Sequence, residues 1–240
     1  MEEKLFYLLK YSFLDLIKKP YLIVLSIILG LFIFVFSQVS LYVSSLLKTN
    51  LSQTIWFILF SIIFLLISSF IFSTFIGLFN ISLKRKINFS DFFLIGVKYC
   101  FSNTIIIGLI MVLSFTIIPK LTGYLAQNFG TFFNLNVTSA SILYLTIYII
   151  LIIIIPTWFT FASFVLVINN KKLFSAVKDS FSLVKKEFFR TLFILIYLLI
   201  LSLIINKLPD LIVTIVNFIF LLPYSIIILS RFVLEFGNSK

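Results

Sequence analysis

Histidine is absent from this chain, cysteine occurs once, alanine four times, and only 11% of the residues are charged. Each shortage closes a class of function. Without histidine and with a single cysteine the usual zinc ligand sets cannot be assembled, and no internal disulfide can form. A soluble domain needs about 25% charged residues to cover its surface. Here 62% of the residues are hydrophobic and the mean hydropathy is +1.23, so the chain must take lipid as its solvent. The eight acids are Glu2, Glu3, Asp15, Asp91, Asp179, Glu187, Asp210 and Glu235. None falls near the middle of an apolar run, which disfavours proton- or sodium-coupled transport. Sodium sites built from carbonyls and hydroxyls stay open. No catalytic constellation, metal site or cofactor site is discernible, and an enzyme is not expected.

What is present is long apolar sequence. A bilayer core about 30 Å thick takes about 20 apolar residues per helix, and six such runs occur, at about 21–43, 55–79, 101–119, 141–168, 191–206 and 211–233. As a helix the first would be about 35 Å long. The chain before it does not read as a cleavable signal, because two glutamates follow Met1 and no small-x-small site ends the run. Pro156 and Pro223 lie near the middle of the fourth and sixth runs and are expected to bend them. The third run is bracketed by Ser102-Asn103-Thr104 and Pro119-Lys120. Lys207-Leu208-Pro209-Asp210 reads as a tight helical hairpin.

Net charge is +11, but no aromatic-and-basic platform for nucleic acid is visible. The lysines and arginines instead crowd beside apolar runs, where they set topology and meet anionic headgroups. Sixteen lie before the first run, after every second run, or at the end of the chain. Lys48, Lys120 and Lys207 lie on the other side. The expectation is a bacterial cytoplasmic membrane protein with both termini cytoplasmic.

Three tetrapeptides recur ahead of apolar runs: Lys10-Tyr11-Ser12-Phe13, Lys98-Tyr99-Cys100-Phe101 and Lys178-Asp179-Ser180-Phe181. Lys4-Leu5-Phe6 and Lys172-Leu173-Phe174 precede the first and third at the same distance, and Lys18 and Lys186 follow them. Phe174, Val177, Phe181, Val184 and Phe188 advance by three and four, as do Phe6, Leu9, Phe13 and Leu16. That spacing gives one apolar stripe on a helix. Such helices are expected to lie in the cytoplasmic headgroup layer with Lys10, Lys18, Lys98, Lys178, Lys185 and Lys186 contacting lipid headgroups. The whole chain then reads as one polytopic all-α membrane domain, 1–240. It comprises three pseudo-repeats, about 1–80, 81–170 and 171–240, each an in-plane amphipathic helix followed by two spans. The alternative is that any basic linker before a span looks alike.

The segment from Leu173 to Lys186 leading into a span, and Asn88-Phe89-Ser90-Asp91-Phe92-Phe93 ahead of the third run, resemble a broad group of bacterial membrane proteins. This group is the membrane domain fused ahead of some glycerophosphodiester phosphodiesterases, with its stand-alone six-span relatives. The likeness covers nearly the whole chain. It implies a membrane module with no catalytic residue of its own, and these 240 residues hold no phosphodiesterase domain whose activity would carry over.

Within the runs, Ser69, Ser73 and Gly77 repeat every four residues and form a small-residue face for close helix packing. Asn217 is the most polar deep residue; it either lines a substrate path or makes an interhelical hydrogen bond. Cys100 stands at the serine position of the repeat and reads as structural. Two function classes survive. One is a non-catalytic module that engages anionic lipids, or an unidentified membrane or cytoplasmic protein, through its basic in-plane helices. The other is the permease subunit of an ABC-type exporter, with 171–190 docking an ATPase. A vitamin-binding substrate subunit is weaker, lacking polar pocket residues.

Overall fold

The computed structural model describes residues 2–47, 49–133 and 136–237; Lys48 and Lys240, two of the topology-setting lysines, lie outside them. Among the described residues there is no strand. The elements are α1 (Glu2–Lys18), α2 (Pro20–Leu46), α3 (Asn50–Ser82), α4 (Phe89–Val112), α5 (Ile118–Phe132), α6 (Val137–Ile168), α7 (Leu173–Lys186), α8 (Phe188–Ile205), α9 (Asp210–Val216) and α10 (Leu222–Phe236). Single π turns, Leu113–Ile117 and Asn217–Leu221, join α4 to α5 and α9 to α10.

Among the described residues five helices are long and apolar enough to cross a membrane: Pro20–Leu46, Ser52–Ser82, Phe89–Phe132, Phe188–Ile205 and Ile212–Phe236. Helix α6 adds 32 residues, with apolar stretches at Thr138–Ile149 and Pro156–Ile168. The chain fits a multi-pass membrane protein.

The expected third span, 101–119, lies within a longer helix. Residues 101–119 are not a separate element; one continuous helical rod runs from Phe89 to Phe132. Nothing at Cys100–Phe101 can stop it. The first basic helix ends where Pro20 forces a new start, and the third breaks at Glu187, whose φ of −111° and ψ of 33° are not helical. The middle copy has neither device. Its polar residues are absorbed: Asn103 donates to Ser73 Oγ at 2.5 Å, and Thr104 to the Cys100 carbonyl.

Pro119 does not end that rod either. A proline lacks the N–H and its ring collides with the carbonyl four residues back. The helix widens instead, and Ile118, just before Pro119, donates to the Leu113 carbonyl. Leu222, just before Pro223, donates to Asn217 in the same way. A π turn of this kind is a known accommodation inside α-helices. The expected irregularity at Pro223 is thus a π turn. At Pro156 helix α6 runs on, with Thr160 donating to the Pro156 carbonyl at 2.9 Å.

The core sits at one end of the bundle, where the C-terminal parts of α3, α6 and α10 meet. Phe75, Phe79, Phe161, Phe164 and Phe232 are fully buried there. Ring contacts tie the three together, Phe72 to Phe164 edge-on at 5.6 Å and Phe161 to Phe232 tilted at 5.4 Å. This end also carries α1, α7 and the start of α4; it is called the basic end below.

Candidate functional site

Each segment that the sequence singles out at the basic end is fastened by polar bonds. On α1, Asp15 accepts two bonds from Arg231 of α10, the Nε one at 2.7 Å, and lies 3.4 Å from Lys19 Nζ. The Asp15 carboxylate and Arg231 side chains are only 13% and 17% exposed. Lys19 is enclosed too, its ammonium 4.6 Å from the centre of the Phe79 ring. Burial holds that ammonium below the usual lysine range, against the pull of Asp15. Tyr224 of α10 donates to the Leu9 carbonyl at 3.3 Å. The N-terminal helix is therefore locked to the C-terminal one.

At the start of α4, Arg85 grips the buried Asp91 with two bonds, at 2.9 and 2.7 Å, and Asp91 also accepts from the Asn88 N–H at 2.9 Å. A first-turn carboxylate so placed satisfies a free helix N–H and opposes the positive end of the helix dipole. Ahead of α7 the chain reverses at Asn170, whose φ of 51° lies in the left-handed region that asparagine tolerates. Lys171 N–H reaches back to the Leu166 carbonyl, closing α6 as a Schellman turn. Tyr99 donates to Asn170 at 2.8 Å. On α7, Ser180 donates to the Trp158 carbonyl, Lys171 pairs with Asp179, and Phe181 lies 4.4 Å from the Trp158 ring. Glu187 pairs with Arg190, whose guanidinium stacks 4.8 Å from the Phe236 ring.

The burial of α1 and α7 follows one pattern. With Lys4 aligned on Lys172, buried, half-buried and exposed positions coincide from 4 to 20, except that Leu14 is half-buried where Ser182 is exposed. Leu8, Ser12, Asp15 and Leu16 face the protein, as do Ala176, Ser180, Leu183 and Val184. A second face is exposed and largely apolar: Phe6, Phe13 and Ile17 on α1, and Phe174 and Phe181 on α7, where exposed Lys185 stands at the position of Ile17. Lys10 and Lys178 stand at its margin, with Lys18 and Lys186 further round. The single apolar stripe expected from spacing is therefore corrected. Val184 packs into the protein while Phe174 is 87% exposed. Lys10, Lys18, Lys98, Lys178, Lys185 and Lys186 are all exposed.

No protein-family model, curated protein or solved structure matches the chain.

The small-residue face on α3 is internal. Ser73 meets Asn103, and a Cβ on Gly77 would lie 2.3 Å from Ile95 of α4. Gly96, which sequence reading passed over, answers from α4, where a Cβ would lie 2.4 Å from the Phe70 ring. Cys100 donates from Sγ to the Leu66 carbonyl at 3.2 Å, a structural contact. Asn217 opens the second π turn, and its buried Oδ1 has no hydrogen-bond partner, so the expected interhelical bond to that oxygen is not made. Asp15, Arg231, Arg85 and Arg190 were read from sequence only as charges. Asp15 with Lys19 and Arg231 with Glu235, each at i,i+4, are the local signals for the first cluster.

Proposed function

We propose that this chain is a six-span bacterial membrane module without a reaction of its own. Its three basic segments hold anionic lipid, or a partner protein, at the cytoplasmic face. The observation that carries this is the three-faced build shared by α1 and α7. One face is bonded to the bundle, a second is exposed and largely apolar, touching the bundle only through Phe13 and Phe181, and lysines stand beside it, Lys185 of α7 within it. A helix of that kind sits where protein, hydrocarbon and headgroups meet. The matching burial of α1 and α7 supports a repeat of helix plus two spans. The continuous Phe89–Phe132 rod makes the middle copy the divergent one. The likeness to the membrane domain of some glycerophosphodiester phosphodiesterases belongs to the same proposal, as do cytoplasmic termini.

Each lysine near an anionic surface contributes about 1 kcal/mol to the attraction. Replacing Lys10, Lys98 and Lys178 together by glutamine should loosen the helices at their outer faces and leave the spans folded. Single cysteines placed along 172–188 in a Cys100→Ser background report this. Faster labelling in anionic vesicles is expected; unchanged labelling removes the lipid role. The second reading, a permease subunit of an ABC-type exporter, draws on the exposed lysines that α7 presents between two spans. Purification from native membranes separates the two: anionic lipid alone fits the module, whereas a stoichiometric ATPase fits the exporter.

A further inference from the structure

Among the five apolar helices α8 is the shortest, with 18 residues against 25 to 44 in the others. Straight and upright it would be about 27 Å long, and any tilt lowers the thickness it covers. The hydrocarbon core of a typical bilayer is about 30 Å thick. Polar groups fix both ends of the helix. Arg190, in its first turn, is tied down: it pairs with Glu187, and its guanidinium lies 4.8 Å from the Phe236 ring. It is therefore not free to stretch outward to the headgroups. At the other end Asn206, Lys207 and Asp210 are exposed. The stretch between, 191–205, is about 22 Å long. Its outer face carries bare Phe193, Leu199 and Ile204, so α8 fronts the lipid.

Packing against α2 gives the same depth independently. Gly30 of α2 meets the Phe218 ring, where a Cβ would come within 2.7 Å. From Pro20 to Gly30 the rise is about 15 Å, and from Phe218 back to Asp210 about 12 Å. The loop between α8 and α9 thus lies about 27 Å from the start of α2. Helix α2 itself runs on from Gly30 to Leu46, about 24 Å. The loop therefore stops about 12 Å short of the far end of α2. A loop with exposed charges and free backbone groups does not stay in hydrocarbon. Lysine can reach outward along its stem, but the short side chain of Asp210 cannot. The bilayer must come to the loop. We propose that the α8–α9 flank thins the bilayer beside it and gathers short-chain phospholipids in the leaflet opposite the basic end. This goes beyond the function proposed above and needs only that α8 crosses a bilayer. The lysines of the basic end play no part in it, so either proposal can fail without the other.

The test uses the full chain with Trp56→Phe and Trp158→Phe, and one tryptophan placed at a time. Leu199→Trp reports on α8, and Ile58→Trp on the comparably bare face of α3. The vesicles hold a brominated oleoyl phosphatidylcholine, which quenches tryptophan, diluted with either short-chain (myristoleoyl) or long-chain (erucoyl) phosphatidylcholine. At Leu199→Trp the short lipid should displace the quencher about threefold better than the long one. At Ile58→Trp the two should compete equally, or the long one better. A short-chain preference at both positions, or at neither, overturns the proposal. So does a Leu199→Trp signal that brominated lipid does not quench, because a second copy of the chain would then cover α8 and answer the mismatch by association. Lys207→Leu with Asp210→Leu lengthens the apolar stretch and should cut the preference at α8 to below about twofold; an unchanged preference also overturns it. Both side chains are exposed at the hairpin tip, and the Ile58→Trp signal in the same variant reports whether the bundle is intact.

Discussion

At the basic end Phe75, Phe79, Phe161 and Phe232 are fully buried, while further along the same bundle Phe34, Phe57 and Phe115 stand half bare or more. The spans α2 and α3 are more apolar than α1 and α7, yet it is the basic end that packs, so hydrophobicity does not decide. Lipid tails are as apolar as leucine, and helices in a bilayer gain little by hiding such side chains from them. What differs is the small and polar content. Ser12, Asp15, Ser73, Thr74, Asn80, Asn103, Ser163 and Ser230 are buried at or near the basic end. At the other end Gly108 and Gly123 have no heavy atom within 4 Å of where a Cβ would lie. Close approach and hydrogen bonds assemble this bundle, and the apolar residues fill in behind them.

The largest test of that contrast removes a charge. Arg231→Ala strands the Asp15 carboxylate in a site 13% exposed, with only Lys19 beside it. Removing one partner of a buried pair typically costs 3–5 kcal/mol; with Lys19 still near, about 3 kcal/mol is expected here. The loss should appear as a lower midpoint of unfolding by sodium dodecyl sulfate from mild detergent. Adding Asp15→Asn should recover part of it, because the stranded charge is gone. If the double variant is as unstable as the sum of the two singles, the pair is not what holds α1 to α10.

A smaller effect separates the two regions by one side chain. Phe161→Ala opens a cavity in the α3–α6–α10 core and should cost about 2–3 kcal/mol, below the range for water-soluble cores because lipid removes part of the transfer term. Phe57→Ala, on a bare surface, should shift the same midpoint by no more than about 0.5 kcal/mol. Equal losses at the two positions would mean that the far end packs as tightly as the basic one.

These contrasts were legible in the sequence to different depths. Long apolar runs fixed the membrane class, and the recurrence around Lys10 and Lys178 led to two helices whose burial coincides. Ser69, Ser73 and Gly77 pointed to a packed face because small residues every four positions have few other uses in a span. The pairing of Asp15 with Arg231 could not be read, since the partners are 216 positions apart and each also looks like an ordinary interfacial charge. The continuity of Phe89–Phe132 was hidden by Pro119, which reads as a stop until a π turn absorbs it. Gly30 and Gly96 were passed over because a glycine in a helix signals close contact only once its neighbour is known.

The smallest effect is the most direct measure of the difference between the ends, since it uses one substitution at two glycines. Alanine is the better helix former by about 1 kcal/mol, so Gly→Ala stabilises wherever space permits. At Gly108 nothing lies within 4 Å, and Gly108→Ala should raise the unfolding midpoint by up to that amount. At Gly77 the new methyl meets Ile95 Cγ2 at 2.3 Å and Cδ1 at 3.1 Å. Ile95 must turn or α4 must move away, and overpacking of this kind costs about 1–3 kcal/mol. After the helix gain the net expected loss is about 1 kcal/mol. Shortening the neighbour in the same chain, Gly77→Ala with Ile95→Val, removes Cδ1 but leaves a γ-methyl in the way, so it should restore only part. Ile95→Ala should relieve more of the clash while opening its own cavity. Opposite signs at Gly108 and Gly77 locate the packed region by contact alone, whereas a gain at both would show that α3 and α4 are held apart at Gly77.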